Sequence, residues 1–157
     1  MRILIVGANG FLARHLAESY GSESHHTLVG TYRNQRDQIP VECYGQLLAS
    51  DQLHELEGTF DLIYLLAAYI PHGKSSDAVD QALEATNAAL PRQLCQRFPQ
   101  SRIVFASTVS VYGSSALPMD ETTTLAPPNA YGQSKRRGEL AMLEHANYGI
   151  VRFSSLY

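Results

Sequence analysis

Two cysteines, Cys43 and Cys95, are too few and too far apart in sequence to form a disulfide framework. Basic residues are not in excess: 12 Lys and Arg stand against 15 Asp and Glu, a net charge of -3, which leaves no basic stripe for nucleic acid. No apolar run is long enough to span a membrane, and the first residues read as a strand instead of a cleavable signal, so no membrane partner is expected and the cytoplasm is the expected compartment. No internal repeat or low-complexity tract is visible. The histidines His15, His25, His26, His54, His72 and His145 show no spacing typical of a metal set, and no metal is expected. What is left is one domain, long enough at 157 residues to bury about 70% of its unfolded surface.

What is present is an alternation of apolar runs with helical periodicity. Strands are expected at 2–6, 26–31, 61–67, 102–107 and 149–153, with a further short one near 41–44; helices are expected at 11–20, 51–57, 76–98 and 130–147. Such an alternation implies an α/β fold, a doubly wound parallel sheet of Rossmann type covered on both faces. Arg2-Ile3-Leu4-Ile5-Val6 leads directly into Gly7-Ala8-Asn9-Gly10-Phe11-Leu12-Ala13, so glycines fall between a buried strand and a helix, as a dinucleotide site requires. Gly7 suits a tight turn, Gly10 lets backbone N–H groups approach a pyrophosphate at the positive end of the helix, and Ala13 permits close helix–strand packing.

Tyr131 and Lys135 stand four positions apart in Asn129-Ala130-Tyr131-Gly132-Gln133-Ser134-Lys135, hence on one face of a helix. An ammonium held near a phenol favours its ionised form, and such a pair can move protons near neutral pH. The run Arg102 to Ala106 ends in Ser107-Thr108-Val109-Ser110, hydroxyl residues at the carboxyl end of a strand where ligands of open parallel sheets sit. The strand that begins Asp61-Leu62-Ile63-Tyr64-Leu65 ends in Leu66-Ala67-Ala68, where small residues make room for a flat ring. At the end of the second strand the sequence reads Thr31-Tyr32-Arg33-Asn34-Gln35-Arg36. No acid is there to receive the 2′-hydroxyl of NAD, and Asp37 is too far along; Arg33 and Arg36 suit a 2′-phosphate, which tips the expected cofactor from NAD to NADP.

Taken in order and spacing, these segments resemble the extended short-chain dehydrogenase/reductase superfamily, whose members include nucleotide-sugar epimerases, dehydratases and reductases. The resemblance covers the whole chain and extends to Glu121 and Pro127 ahead of Tyr131, to Thr86-Asn87 on the central helix, and to the closing stretch 150–157. It implies that Tyr131 is the general acid/base, that Lys135 is its electrostatic partner and an anchor for the nicotinamide ribose, and that Thr108, five residues before Gly113, binds the substrate oxygen. It implies further that Gly7, Asn9, Gly10, Phe11, Leu12, Leu66, Ala67 and Ala68 hold the cofactor with Arg33 and Arg36, and that the substrate is a small molecule, a nucleotide sugar. Ser107 and Ser110 are expected to satisfy backbone groups.

Departures from the family pattern are Leu48, where a carboxylate usually meets the adenine, Leu65 in place of a frequent His, and Leu90 in place of a usual Gly; Asp51 reads as an N-cap. Cys95, Tyr20, Tyr64 and Tyr148 read as packing residues. The turn-rich pieces from Pro71 to Ser76 and from Gly113 to Pro128 are candidates for the rim of the site. Relatives continue beyond the equivalent of Tyr157 into a smaller domain that holds the sugar nucleotide, so 1–157 reads as the amino-terminal NAD(P)-binding part, with the carboxyl-terminal substrate domain absent, and a homodimer is a possible assembly. A second reading is a dinucleotide-binding module without turnover.

Overall fold

The computed structural model describes residues 1–23, 25–34, 36–114 and 118–154, the Arg36 side chain excepted. Six parallel strands, β1 (Arg2–Val6), β2 (Thr27–Tyr32), β3 (Gln46–Ala49), β4 (Leu62–Leu65), β5 (Arg102–Thr108) and β6 (Tyr148–Phe153), lie in the order β3-β2-β1-β4-β5-β6. The chain winds outward from β1 to β3, then returns to place β4 on the other side of β1. A crevice must open at the carboxyl ends of β1 and β4, where the winding reverses.

Burial explains why β1 reads as an unbroken apolar run. Leu4 and Val6 enter one core with Ile63, Leu65, Ile103 and Phe105, while Ile3 and Ile5 enter the other with Ala13, Ala17 and Leu28. The second core includes α1 (Phe11–Gly21), whose Ala13 and Ala17 are fully buried and let the helix lie close to the sheet.

Three local expectations need correction. The strand near 41–44 is instead a 3₁₀ turn at Val41–Cys43, and the edge strand is Gln46–Ala49. With a neighbour on one side only and no fully buried residue, β3 leaves no continuous apolar run in the sequence. The helix at 51–57 is a 3₁₀ run at Ser50–Glu55, too short to develop α-helical pairing; Ala49, not Asp51, occupies its N-cap position, and its N–H donates to Gln52 Oε1 at 3.1 Å. The helix at 130–147 ends sooner: α4 is Ala130–Leu143, and His145 turns inward, its Nε2 2.8 Å from the Ser101 carbonyl oxygen.

The long helix at 76–98 is interrupted. Between α2 (Asp77–Leu83) and α3 (Leu90–Arg97) lies a π-helical stretch, Glu84–Ala89, in which the Leu90 N–H reaches back to the Ala85 carbonyl. Pro91 has no N–H to give the Asn87 carbonyl, so regular pairing fails just there and the helix widens. Gly138 of α4 lies against that same Asn87 carbonyl, so closely that any side chain at 138 would collide with it. A proline on one helix and a glycine on another thus set how near α4 lies to the central helix.

Candidate active site

The crevice at the switch point is a cleft of about 850 Å³. Its wall includes Gly7, Asn9, Gly10, Phe11, Leu12, Arg33, Leu66, Ala67, Ala68, Thr108 and Tyr131, residues that the sequence spreads over most of the chain. Thr31, Tyr32 and Asn34 from the end of β2 and Thr86 beside Asn87 line it too, with two residues that carried no signal in sequence, Ser50 and Leu53. Their composition is that of ordinary strand ends and short turns, and only the winding of the sheet brings them together.

One wall is made of backbone. Gly7 has φ +96°, and a Cβ there would lie 2.7 Å from the Ala67 nitrogen, so both conformation and space demand glycine. The Gly7 and Ala8 N–H groups donate to the Thr31 carbonyl at 3.0 and 2.7 Å, which ties the turn to β2. The turn uses the Gly10 N–H, which donates to the Gly7 carbonyl at 3.0 Å. The donors at the positive end of α1 are those of its first turn, from Phe11 onward, which have no carbonyl behind them. Asn9 Nδ2 donates to Asn34 Oδ1 at 3.4 Å, joining the turn to the segment after β2. Arg33 is exposed in that segment, its guanidinium 5.9 Å from the centre of the Tyr69 ring. The Arg36 side chain lies outside the described residues. Leu48, the residue in place of a carboxylate, packs against the core and is absent from the wall, whereas Ser50 and Leu53 line it.

The opposite wall is made of side chains. Asn129 caps α4 by accepting the Gly132 N–H at 2.8 Å, which starts the helix just before Tyr131. Thr108 ends β5; its hydroxyl accepts the Ser110 N–H and donates to Ser110 Oγ, each at 3.2 Å. Ser107 does not satisfy backbone as expected but donates to the Glu139 carboxylate at 2.6 Å. Burial pushes the Tyr131 phenol above its ordinary pKa, and the neighbouring Thr108 hydroxyl works the other way. Lys135, expected to hold the phenol down, is not among the groups that act on it.

Lys135 is itself perturbed. It is 1% exposed, and burial pulls its pKa down to about 7 against the upward pull of Glu139. Its Nζ lies 4.0 Å over the centre of the Phe105 ring, a cation–π placement. Among the described residues that nitrogen has no hydrogen-bond partner, although an ammonium offers three donors and buried polar atoms are rarely left so. Asn87, the residue on the central helix, is fully buried and clamps the segment after β4: Oδ1 accepts the Tyr69 N–H at 2.9 Å while Nδ2 donates to the Tyr69 carbonyl at 2.8 Å and to Ser134 Oγ at 3.0 Å.

Other residues fall as follows. Cys95 packs beside Met142, and burial raises its thiol to about 11. Tyr20 and Tyr64 meet through their hydroxyls at 2.7 Å, but Tyr148 is 38% exposed and not a packing residue. Leu65 is fully buried and Leu90 packs against the core. Glu23, His25 and His26 bring ligand-type atoms within 4.8 Å of one another, a grouping the histidine spacing did not suggest. Among the described residues the buried His26 Nδ1 has no hydrogen-bond partner, and His26 Nε2 lies 2.9 Å from the Glu23 carboxylate.

A switch-point cleft with a glycine turn on one wall and Thr108 and Tyr131 on the other, Lys135 lying one turn along α4 and outside its lining, is the ligand position of a doubly wound domain. Residues 3–157 match the NAD dependent epimerase/dehydratase family, and the chain belongs to it. Over its full length it is 30% identical to an uncharacterised UDP-glucose epimerase of Bacillus subtilis (strain 168), of which it covers 57%. It is 28% identical to UDP-N-acetyl-alpha-D-glucosaminuronate decarboxylase of Bacillus cytotoxicus, with 99% of this chain and 54% of that protein aligned. The fold is shared by UDP-glucuronic acid 4-epimerase from Bacillus cereus, solved with UDP-glucuronic acid and NAD, at TM-score 0.82 and 23% identity over 100% of this chain and 57% of that one. The chain thus spans about half the length of the relatives it most fully matches.

Proposed function

We propose that this chain is the dinucleotide-binding part of an enzyme that epimerises, dehydrates or reduces a nucleotide sugar by hydride transfer. The observation that carries the reading is the buried, unpartnered Lys135 nitrogen one turn from Tyr131, with Thr108 at the same cleft. An orphaned ammonium suits the hydroxyls of a nicotinamide ribose, so the residues fit the cofactor. The nicotinamide supplies hydride acceptance and return when bound. Tyr131 takes the proton from the substrate hydroxyl, or returns it, as the carbon beside it loses or gains hydride; Thr108 donates a hydrogen bond to that same oxygen. Lys135 holds the ribose. Phe11 and Leu12, at the start of α1, hold the pyrophosphate through backbone N–H groups, and Leu66, Ala67 and Ala68 floor the ring.

NADP is the preferred cofactor in this reading, because Arg33 stands at the end of β2 where NAD-binding domains place an acid. A homodimer and a cytoplasmic setting belong to the same reading: Leu140 and Leu143 are 48% and 49% exposed, and no helix among the described residues is long and apolar enough to cross a membrane. A binding module without turnover has no use for Thr108 and Tyr131 at one cleft with Lys135 buried one helical turn away. Calorimetry with NAD and NADP tests the binding step, and turnover of UDP-sugars by the complete enzyme tests the chemistry. Dinucleotide affinity is expected in the micromolar range or better, tighter for NADP and reduced for NADP alone by Arg33→Ala; absence of binding for both dinucleotides overturns the reading.

A further inference from the structure

Glu139 follows Lys135 by one helical turn on α4 and is fully buried, an uncommon place for a carboxylate. It is the centre of a polar cluster that joins β5, β6 and α4. Ser107 donates to Oε1 at 2.6 Å, and Arg152 donates through Nε to Oε1 and through Nη2 to Oε2, each at 2.9 Å. Arg136, on the same helix, adds a 3.3 Å contact to Oε2. The remaining Arg152 nitrogen, Nη1, donates to the Tyr112 hydroxyl at 2.7 Å, so the cluster reaches the segment after β5. Burial alone would push the Glu139 carboxyl up, but the hydrogen bonds from Arg152 and Ser107 and the charges of Arg152 and Arg136 together hold it below the usual carboxylate range.

A buried ion pair of this kind is weak evidence for stability, since well-packed apolar residues often serve a fold as well or better. What an apolar residue cannot supply is a negative charge on the Lys135 face of α4. Lys135 Nζ lies over the Phe105 ring from β5, and Glu139, one turn along the same helix, is the charged group that acts on it; those that contact Glu139 are Ser107 from β5, Arg152 from β6 and Arg136 from its own helix. The geometry points to Glu139 as a positioning residue that acts through Lys135: clamped by Arg152, it presents the fixed negative charge that keeps the buried lysine an ammonium. This rests on the proposed role of Lys135 in holding the dinucleotide, but the electrostatic part can be measured without any activity. Arg152 is the second half of the device, because it prevents the carboxylate from taking up a proton instead.

The test is the titration of the Lys135 side chain, followed by NMR in the wild-type chain and in Glu139→Gln, which keeps the size and an acceptor for Ser107. The midpoint is expected to fall by about one unit or more in the variant. In parallel, dinucleotide affinity should drop about tenfold at pH 8 and only about twofold at pH 6, where most of the wild-type lysine and about half of the variant's is charged. Should Glu139→Gln fail to fold because Arg152 is left unpaired, Glu139→Gln combined with Arg152→Met removes both charges and is expected to give a smaller downward shift in a folded protein, since loss of the guanidinium acts the other way. An unmoved Lys135 midpoint in whichever variant folds overturns the inference and leaves the cluster a strut between strands. A wild-type chain that binds no dinucleotide, with the midpoint still shifting, would instead refute the proposed function and spare this one.

Discussion

The two walls of the cleft are built on opposite principles. Around Gly7 the site is backbone: a positive φ, two N–H groups tied to Thr31, and a helix start whose free donors point outward. Around Thr108 and Tyr131 it is side chain, and outside the lining α4 carries a buried cation over an aromatic ring and, one turn on, a buried carboxylate compensated by a guanidinium. The backbone wall is rigid and low in energy because every strained feature sits where glycine removes the strain. The side-chain wall stores unfavourable burial, which the fold tolerates.

The contrast is broken most severely at the chemical wall. In the complete enzyme Tyr131→Phe is expected to lower the rate of hydride transfer by about 10²–10⁴-fold while leaving dinucleotide affinity within about twofold, since the phenol acts on the substrate oxygen. Single-turnover kinetics with matched calorimetry measure both, and undiminished turnover would remove Tyr131 from its role.

Next in size is a strike at the backbone wall. Gly7→Ala forces a Cβ to within 2.7 Å of the Ala67 nitrogen at a φ of +96°, and is expected to cost on the order of 3 kcal/mol in urea unfolding and to abolish dinucleotide binding. A midpoint equal to wild type would show that the turn relaxes freely.

A smaller effect, of opposite sign, is expected at Lys135. Its folded pKa of about 7 lies below the 10.5 of the unfolded chain, so between those values the unfolded state binds more protons and this residue makes stability rise with pH. Below about pH 7 its full cost is present. Lys135→Met should therefore stabilise the fold at neutral pH by about 1–3 kcal/mol and flatten that part of the pH dependence, while impairing cofactor binding. Thermal melts at pH 6, 7.5 and 9 check the sign; a destabilised variant would mean that the Phe105 contact outweighs the burial cost.

The least effect belongs to Gly10→Ala. Gly10 has φ -75° and a Cβ there would meet only the Gly7 carbonyl oxygen, at 3.3 Å, so about 1 kcal/mol or less should be lost. Equal losses from Gly7→Ala and Gly10→Ala would erase the distinction drawn between the two glycines.

Legibility in the sequence followed burial. β1, β4 and β5 read as apolar runs because both their faces are covered, and the glycine turn reads because its strand and helix adjoin it in sequence. The edge strand β3 and the short 3₁₀ segments carry no such signature, for their residues are half exposed and their pairing is decided by β2. Tyr131 and Lys135 were legible from spacing. Their electrostatics were not: the same spacing that suggested a phenol held down by an ammonium is compatible with the burial that raises the one and depresses the other.

From the chain alone came the alternation of strands and helices, the turn at Gly7 and the four-residue spacing of Tyr131 and Lys135 on one helix, because each depends on neighbours within a few residues and on the period of an element. Tertiary structure alone decided the rest. Glu139, lying among Arg136, Arg137 and Gly138, reads as one more charge on a solvated helix until β6 brings Arg152 beneath it. Pro91 and Gly138 become a single packing device only when α4 meets the Asn87 carbonyl. The charge state of a buried group is a property of everything packed around it, and that enclosure exists only once distant segments have closed over it.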